Sequence, residues 1–178
     1  MMIEIIIGIV AIIIVIVIIM TVISNNKFQL SIIKIDKAEE DIDLYLQKKQ
    51  ELLERTRPVV KKALKSKEFM EDLENKVEGL SNFENHMLLK KCYNELFKVI
   101  DENEKLLKSA TLLKILEELN DNEENIVGTI KFYNDNVVDY NQLVVAFPSK
   151  MIAFFKKYKK KDFYNNEKRE IFEILNSK

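Results

Sequence analysis

The sequence predicts an all-α protein, in which an N-terminal single transmembrane helix is followed by an antiparallel helical bundle of the four-helix type. Three observations predict it. Gly and Pro number only 3 and 2 in 178 residues, too few for the tight turns that an all-β or α/β fold needs. Residues 3–23 are almost purely aliphatic. Beyond them, apolar residues recur at steps of three and four, the period of a helix face.

The aliphatic run comes first. Between Ile3 and Ile23, only Gly8, Ala11 and Thr21 are small or weakly polar, and Glu4 sits at the outer edge. At 1.5 Å per residue, about 20 residues cross a hydrocarbon core roughly 30 Å thick. Many of these residues are β-branched, yet an open strand in lipid would leave its N–H and C=O groups without partners, whereas a helix satisfies them internally. A cleaved signal peptide fits poorly. No Lys or Arg precedes the run, the run exceeds an ordinary h-region, and Ser24-Asn25-Asn26-Lys27 offers no small-residue cleavage site. Residues 1–26 are therefore expected to form an uncleaved anchor in the cell membrane. Lys27, Lys34 and Lys37 follow the run and no cation precedes it. The positive-inside rule then places the N-terminus outside and the rest in the cytoplasm.

Residues 27–164 are expected to form the bundle, with 165–178 as a C-terminal helical tail. Ile35, Ala38, Ile42, Tyr45, Leu52 and Val59 make one helical stripe, widened by Leu46, Leu53, Val60 and Leu64. No breaker separates this helix from the anchor. Pro58 should kink or weaken it, because it removes a backbone donor. Residues 68–78 read as a short amphipathic helix bearing Phe69, Leu73 and Val77, stopped by Gly79. Ser81-Asn82-Phe83-Glu84 has the form of a capping box, so a helix should start at Asn82 and run to about 102. Residues 101–104 read as a connection leading to Leu106-Leu107. The clearest stripe is next: Leu112, Leu116, Leu119, Glu123, Ile126, Ile130, Tyr133, Val137, Tyr140, Val144 and Phe147. Five heptads of such spacing indicate bundle or coiled-coil packing. Pro148 ends it. Met151–Tyr158 reads as a short amphipathic piece, followed by a basic run and a last helix near 167–175.

Composition narrows the function. Net charge is −1, and setting Glu4 aside leaves 28 basic and 28 acidic residues beyond the anchor. Nucleic-acid binders usually show a basic excess, so no nucleic-acid partner is expected. A di-iron bundle needs two Glu-x-x-His motifs, but His86 is the single histidine and the residue three before it is Phe83. His86 and Cys92, six residues apart on one helix, are on different turns and make no thiol–imidazole dyad. Cys92 falls on an apolar stripe, where it behaves as a small hydrophobe. No phosphate loop, Cys-x-x-Cys pair or zincin motif occurs. The sequence thus predicts no enzyme, no catalytic residues, no metal site and no cofactor.

Some of these residues carry a resemblance. Tyr133-Asn134-Asp135, Tyr140-Asn141, Phe147-Pro148 and Ile152-Ala153, then Lys159-Lys160-Lys161 and Phe163-Tyr164, resemble the C-terminal signature of the LemA family. Ile42-Asp43-Leu44-Tyr45-Leu46, Lys48-Lys49 and Leu52-Leu53 are similar to that family's first-helix motif. The chain departs from the pattern in four places. It has no Trp, Glu54 replaces a proline, Ile130 replaces an arginine, and Lys157-Tyr158 replaces a Gly-Phe pair. The resemblance implies a bacterial four-helix bundle facing the cytoplasm, with no catalytic activity and a scaffold or accessory role among membrane proteins.

Two features invite a binding role. Tyr133, Asn134, Tyr140 and Asn141 repeat at heptad spacing. Core-edge packing with bonded hydroxyls explains them without a ligand, so the signature residues Tyr133, Asn134, Asp135, Tyr140, Asn141, Phe147 and Pro148 are expected to be structural. Lys156–Lys161 beside Met151–Phe155 has the character of a lipid-surface motif. If the first helix leaves the bilayer, the second returns and the third leaves again, Phe147-Pro148 lies at the far end, about 50 Å from the lipid. On that geometry the lysines are merely solvated. The expected partners are the membrane, through the anchor, and unidentified proteins, with homo-oligomers included. Lipid binding or membrane shaping through the basic segment is the alternative.

Overall fold

The computed structural model describes residues 2–64, 69, 70, 73 and 82–164. Among them are four α-helices, α1 (Met2–Leu64), α2 (Asn82–Glu102), α3 (Ala110–Val145) and α4 (Ser149–Lys156), with a 3-10 helix at Glu104–Lys108 before α3. The all-α class is as the sequence predicts. The tail 165–178, the expected helix at 167–175, and most of 68–81 with Gly79 and Ser81 lie outside the described residues. Phe69, Met70 and Leu73 are described, and all three are buried.

α1 is one helix of 63 residues, about 95 Å at 1.5 Å per residue. It continues through Pro58 without ending. Its N-terminal part has a mean hydropathy of 3.6, and none of that stretch is buried by the rest of the chain. Length and composition make it a candidate membrane anchor. Further along, the buried positions of one line are Ser24, Phe28, Ser31, Ile35, Ala38, Ile42, Leu46, Lys49, Leu53, Thr56 and Val60, with Leu52 buried beside them. They step by three and four without a gap. The buried line therefore follows Leu46, Leu53 and Val60, while Tyr45 and Val59 lie at its edge.

α2 starts at Asn82, as its sequence predicts, and buries Leu89, Cys92, Leu96 and Ile100. Asn103 leaves helical geometry, and its side-chain amide donates to the Val99 carbonyl at 3.1 Å. That bond satisfies one carbonyl of the last turn. Ser109 caps α3: its Oγ accepts the Leu112 amide at 3.3 Å, a donor the first turn would otherwise leave unpaired. α3 buries Leu112, Ile115, Leu119, Asn122, Ile126, Ile130, Tyr133, Val137 and Tyr140. Each fully buried Leu or Ile contributes about 1.5–3 kcal/mol. Glu123, placed on the stripe by its spacing, is half-buried, and Asn122 takes the core position.

Contacts divide the chain into two compact units, Met1–Ala38 with Phe132–Lys178, and Glu39–Lys131. In the second, the Asn122 side chain donates to the Tyr45 carbonyl at 2.9 Å, and Arg55 meets Glu118 at 3.4 Å. Numbers rise on α1 as they fall on α3, so the two are antiparallel there. Lys49 meets both Glu123 on α3 and Tyr93 on α2. The link from Glu102 to Ala110 is too short to span the unit. α2 therefore runs in the direction of α1, and α3 opposes both.

In the first unit, Phe28 meets Tyr140 edge-to-face at 5.7 Å. Val17, Met20, Thr21 and Ser24 share a groove with Phe147, Pro148, Met151, Ile152 and Phe155. This corrects the expectation that Phe147-Pro148 lies about 50 Å from the anchor. The expectation took α2 for a returning pass. α3 is the element that returns, and it delivers α4 to the anchor's own end. The Phe147–Pro148 peptide is cis.

α4 closes in a Schellman motif. Tyr158 N–H donates to the Ala153 carbonyl at 2.9 Å and Lys157 N–H to Phe154 at 3.2 Å. Lys157 sits at φ 56°, ψ 32°, the left-handed region that favours glycine. This is the position where the family pattern carries Gly. A side chain there costs on the order of 1 kcal/mol. Lys157→Gly should therefore slow chymotrypsin cleavage after Phe163 about fivefold, corresponding to a gain of roughly 1 kcal/mol. An unchanged rate would show that Lys157 bears no strain.

Candidate functional site

The signature residues gather on α3 in the first unit, where they hold the chain that follows α4. Asn141 makes two bonds to one residue: its side-chain amide donates to the Lys161 carbonyl at 2.9 Å, and its Oδ1 accepts the Lys161 amide at 2.8 Å. One turn-pair earlier, Asn134 Oδ1 accepts the Tyr164 amide at 2.9 Å, and the Tyr133 hydroxyl donates to the Asp162 carbonyl at 3.2 Å. A non-helical segment has no ladder of its own, so its buried N–H and C=O groups need side-chain partners. Asparagine carries both a donor and an acceptor, which is why it serves here.

Tyr140 packs between rings. Phe28 is on one side, and Tyr158 lies 6.4 Å away on another. Burial pushes the Tyr140 hydroxyl above its ordinary pKa, and Tyr158 adds to the effect. Tyr158, standing where the family pattern has Phe, also lies 5.0 Å from Phe28. Asp135 points away from this core and is exposed. Phe147 is 80% exposed and borders the groove beside the anchor. The arrangement thus brings Tyr133, Asn134, Tyr140 and Asn141 together in one clamp, and puts Phe147 and Pro148 in another place, against Val17–Ser24.

The clamp fixes the basic run next to the anchor. Lys156 Nζ donates to Asn25 Oδ1 at 2.6 Å, and Gln29 donates to the Tyr158 hydroxyl at 3.0 Å. Lys161 pairs with Asp36 at 3.1 Å. That pair is largely exposed and contributes at most about 1 kcal/mol. Phe154 and Phe155 stand 79% and 76% exposed on α4. Lys157, Lys159 and Lys160 are exposed beside them.

The second unit contains a polar cluster that periodicity did not reveal. Lys49 is fully buried, with Nζ bonded to Glu123 Oε2 at 2.5 Å and lying 4.9 Å from the Tyr93 ring centroid. Burial pushes its ammonium pKa below the ordinary lysine value, opposed by the hydrogen bond and charge of Glu123. His86 is likewise pushed down, by burial first and by Lys49 second, with Glu123 opposing. Asn122 Oδ1 is buried without a hydrogen-bond partner among the described residues. The Lys49 charge is engaged by Glu123 and Tyr93 and closed to solvent, so the cluster orders the core. Among the described residues, no three His, Cys, Asp or Glu side chains gather as metal ligands.

Sequence spacing missed Lys49, Asn122 and the partners of the clamp, Lys161, Asp162 and Tyr164. Lys49 was detectable in principle, because it continues the three-and-four steps from Leu46 to Leu53.

If Asn141 holds the segment, Asn141→Ala should release it. Losing two buried hydrogen bonds costs about 1–3 kcal/mol, so trypsin should cut within 157–161 at least about fivefold faster. Unchanged cleavage would contradict the clamp.

Two comparisons bear on this site. The sequence model of the LemA family matches residues 38–174, which include the signature and the first-helix motif. No individually curated protein matches the chain.

Proposed function

This chain belongs to the LemA family, and on that premise we propose that it is a non-catalytic membrane-anchored scaffold. Residues 3–23 span the membrane, and the Lys27, Lys34 and Lys37 bias places the later helices in the cytoplasm. Their surfaces bind other membrane or cytoplasmic proteins, copies of the chain included, and no nucleic acid. The supporting observation is the unbroken course of α1 from Met2 to Leu64. The residues that follow the apolar run continue it as helix and not as a loose tether, which suits a scaffold better than a tethered enzyme. Exposed apolar side chains along these faces, Ile33 at 62% and Val127 at 60%, are suited to partner contact.

A second reading, in which the protein binds lipid or shapes the membrane through Met151–Lys161, is favoured by the position of α4 beside the anchor. Photocrosslinking in native membranes separates the two. With a photoreactive residue at Ile33 or Val127, the scaffold reading predicts discrete protein adducts at one position or both. Adducts to lipid alone, or none, would contradict it.

A further inference from the structure

α4 and the anchor enclose a groove of about 280 Å³. Its walls are Val17, Met20 and Thr21 on α1, and Phe147, Met151 and Phe155 at α4. The Thr21 hydroxyl donates to the Val17 carbonyl at 2.8 Å, so it presents no unmet polar atom to the groove. Apart from Thr21 and Ser24 the side chains of the lining are apolar, so the groove suits an apolar occupant. Val17 and Met20 belong to the run that is long enough to span a bilayer, so lipid or another membrane segment is what meets them there.

Size and charge choose between these occupants. A helix with its side chains is about 10–12 Å across. An acyl chain is narrower. At the aqueous rim, Lys156 reaches Asn25 Oδ1 and lies 6.0 Å from the Tyr158 ring centroid, both neutral partners, and no ion pair of Lys156 with a carboxylate is formed among the described residues. A lysine ammonium has three donors, and one is used here. Lys157, next to it in sequence, and Lys27, two residues after Asn25, are both exposed. The exposed rings of Phe154 and Phe155 fit the headgroup boundary, where aromatic and basic residues of interfacial helices lie.

We propose that this groove binds one anionic phospholipid, its acyl chain between α1 and α4 and its phosphate at Lys156. The proposal rests on the membrane reading above and goes beyond it, in that it assigns a site, a stoichiometry and a headgroup charge. It makes α4 a lipid-selecting element as well as a surface contact.

Native mass spectrometry of the full chain in neutral detergent tests it, with palmitoyl-oleoyl phosphatidylglycerol and the matching phosphatidylcholine as probes. The expected result is saturable binding of one phosphatidylglycerol per chain, at least tenfold tighter than phosphatidylcholine. Thr21→Trp, which fills the groove, and Lys156→Glu should each weaken it about tenfold. Lys156→Arg should restore it, and Lys62→Glu, in the last turn of α1, should leave it unchanged. Helix content by circular dichroism confirms that the variants fold. Equal affinity for the two lipids, unsaturable uptake, indifference to Thr21→Trp, or a chain dimer in place of a lipid adduct would each overturn the proposal. Alkaline carbonate extraction keeps the two levels apart. A chain that carbonate releases from membranes refutes the membrane reading itself. A chain that resists extraction yet takes up no lipid one-to-one refutes the groove alone.

Discussion

Lipid cannot hydrogen-bond a backbone, and with residues 3–23 in the membrane, as proposed, that constraint fixes α1. The run from Ile3 to Ile23 is helical because no other conformation satisfies its N–H and C=O groups in a hydrocarbon phase. Nothing then stops the helix. No Pro occurs before Pro58 and no Gly after Gly8 along it, and Pro58 itself is accommodated. A single buried line along α1, from Ser24 to Val60, provides the seam on which the other helices assemble, unit by unit.

What packs on the seam differs between the units. Around Glu39–Lys131 the seam is Ile, Leu and Val, interrupted by Lys49 and Thr56. A buried charge is costly unless paired, and Glu123 with Tyr93 supplies the pairing. The pair is best read as a register pin, because only one alignment of α1 and α3 brings those two side chains together. Around the anchor the seam is more polar, with Ser24 and Ser31 flanking Phe28. There the order comes from α3 asparagines holding a non-helical segment, and from three rings, Phe28, Tyr140 and Tyr158.

Much of this was legible in the sequence. The anchor follows from length and hydropathy, α3 from its stripe, and the start of α2 from Asn82. The identities of the signature residues were legible too. Their partners were not. Hydrogen bonds from Asn141 to Lys161 depend on a non-helical return that has no periodicity to detect. Lys49 and Asn122 were overlooked because a stripe counted by apolar residues skips polar members, although both keep its step. The place of α4 was misjudged for a different reason. Whether a helix leaves or returns depends on how many reversals precede it, and hydrophobic spacing carries no direction. Once α2 is seen to run with α1, α3 must come back and bring the Phe147-Pro148 element to the anchor.

The central claim is that α4 lies at the membrane surface beside the anchor. The chain has no Trp, so Phe155→Trp would give a single reporter. The most direct measurement is its fluorescence in reconstituted vesicles containing lipids brominated at defined depths along the acyl chain. The account predicts blue-shifted emission, quenched most strongly by bromines near the headgroup end. Emission at the wavelength of a water-exposed indole, unaffected by bromine at any depth, would contradict it.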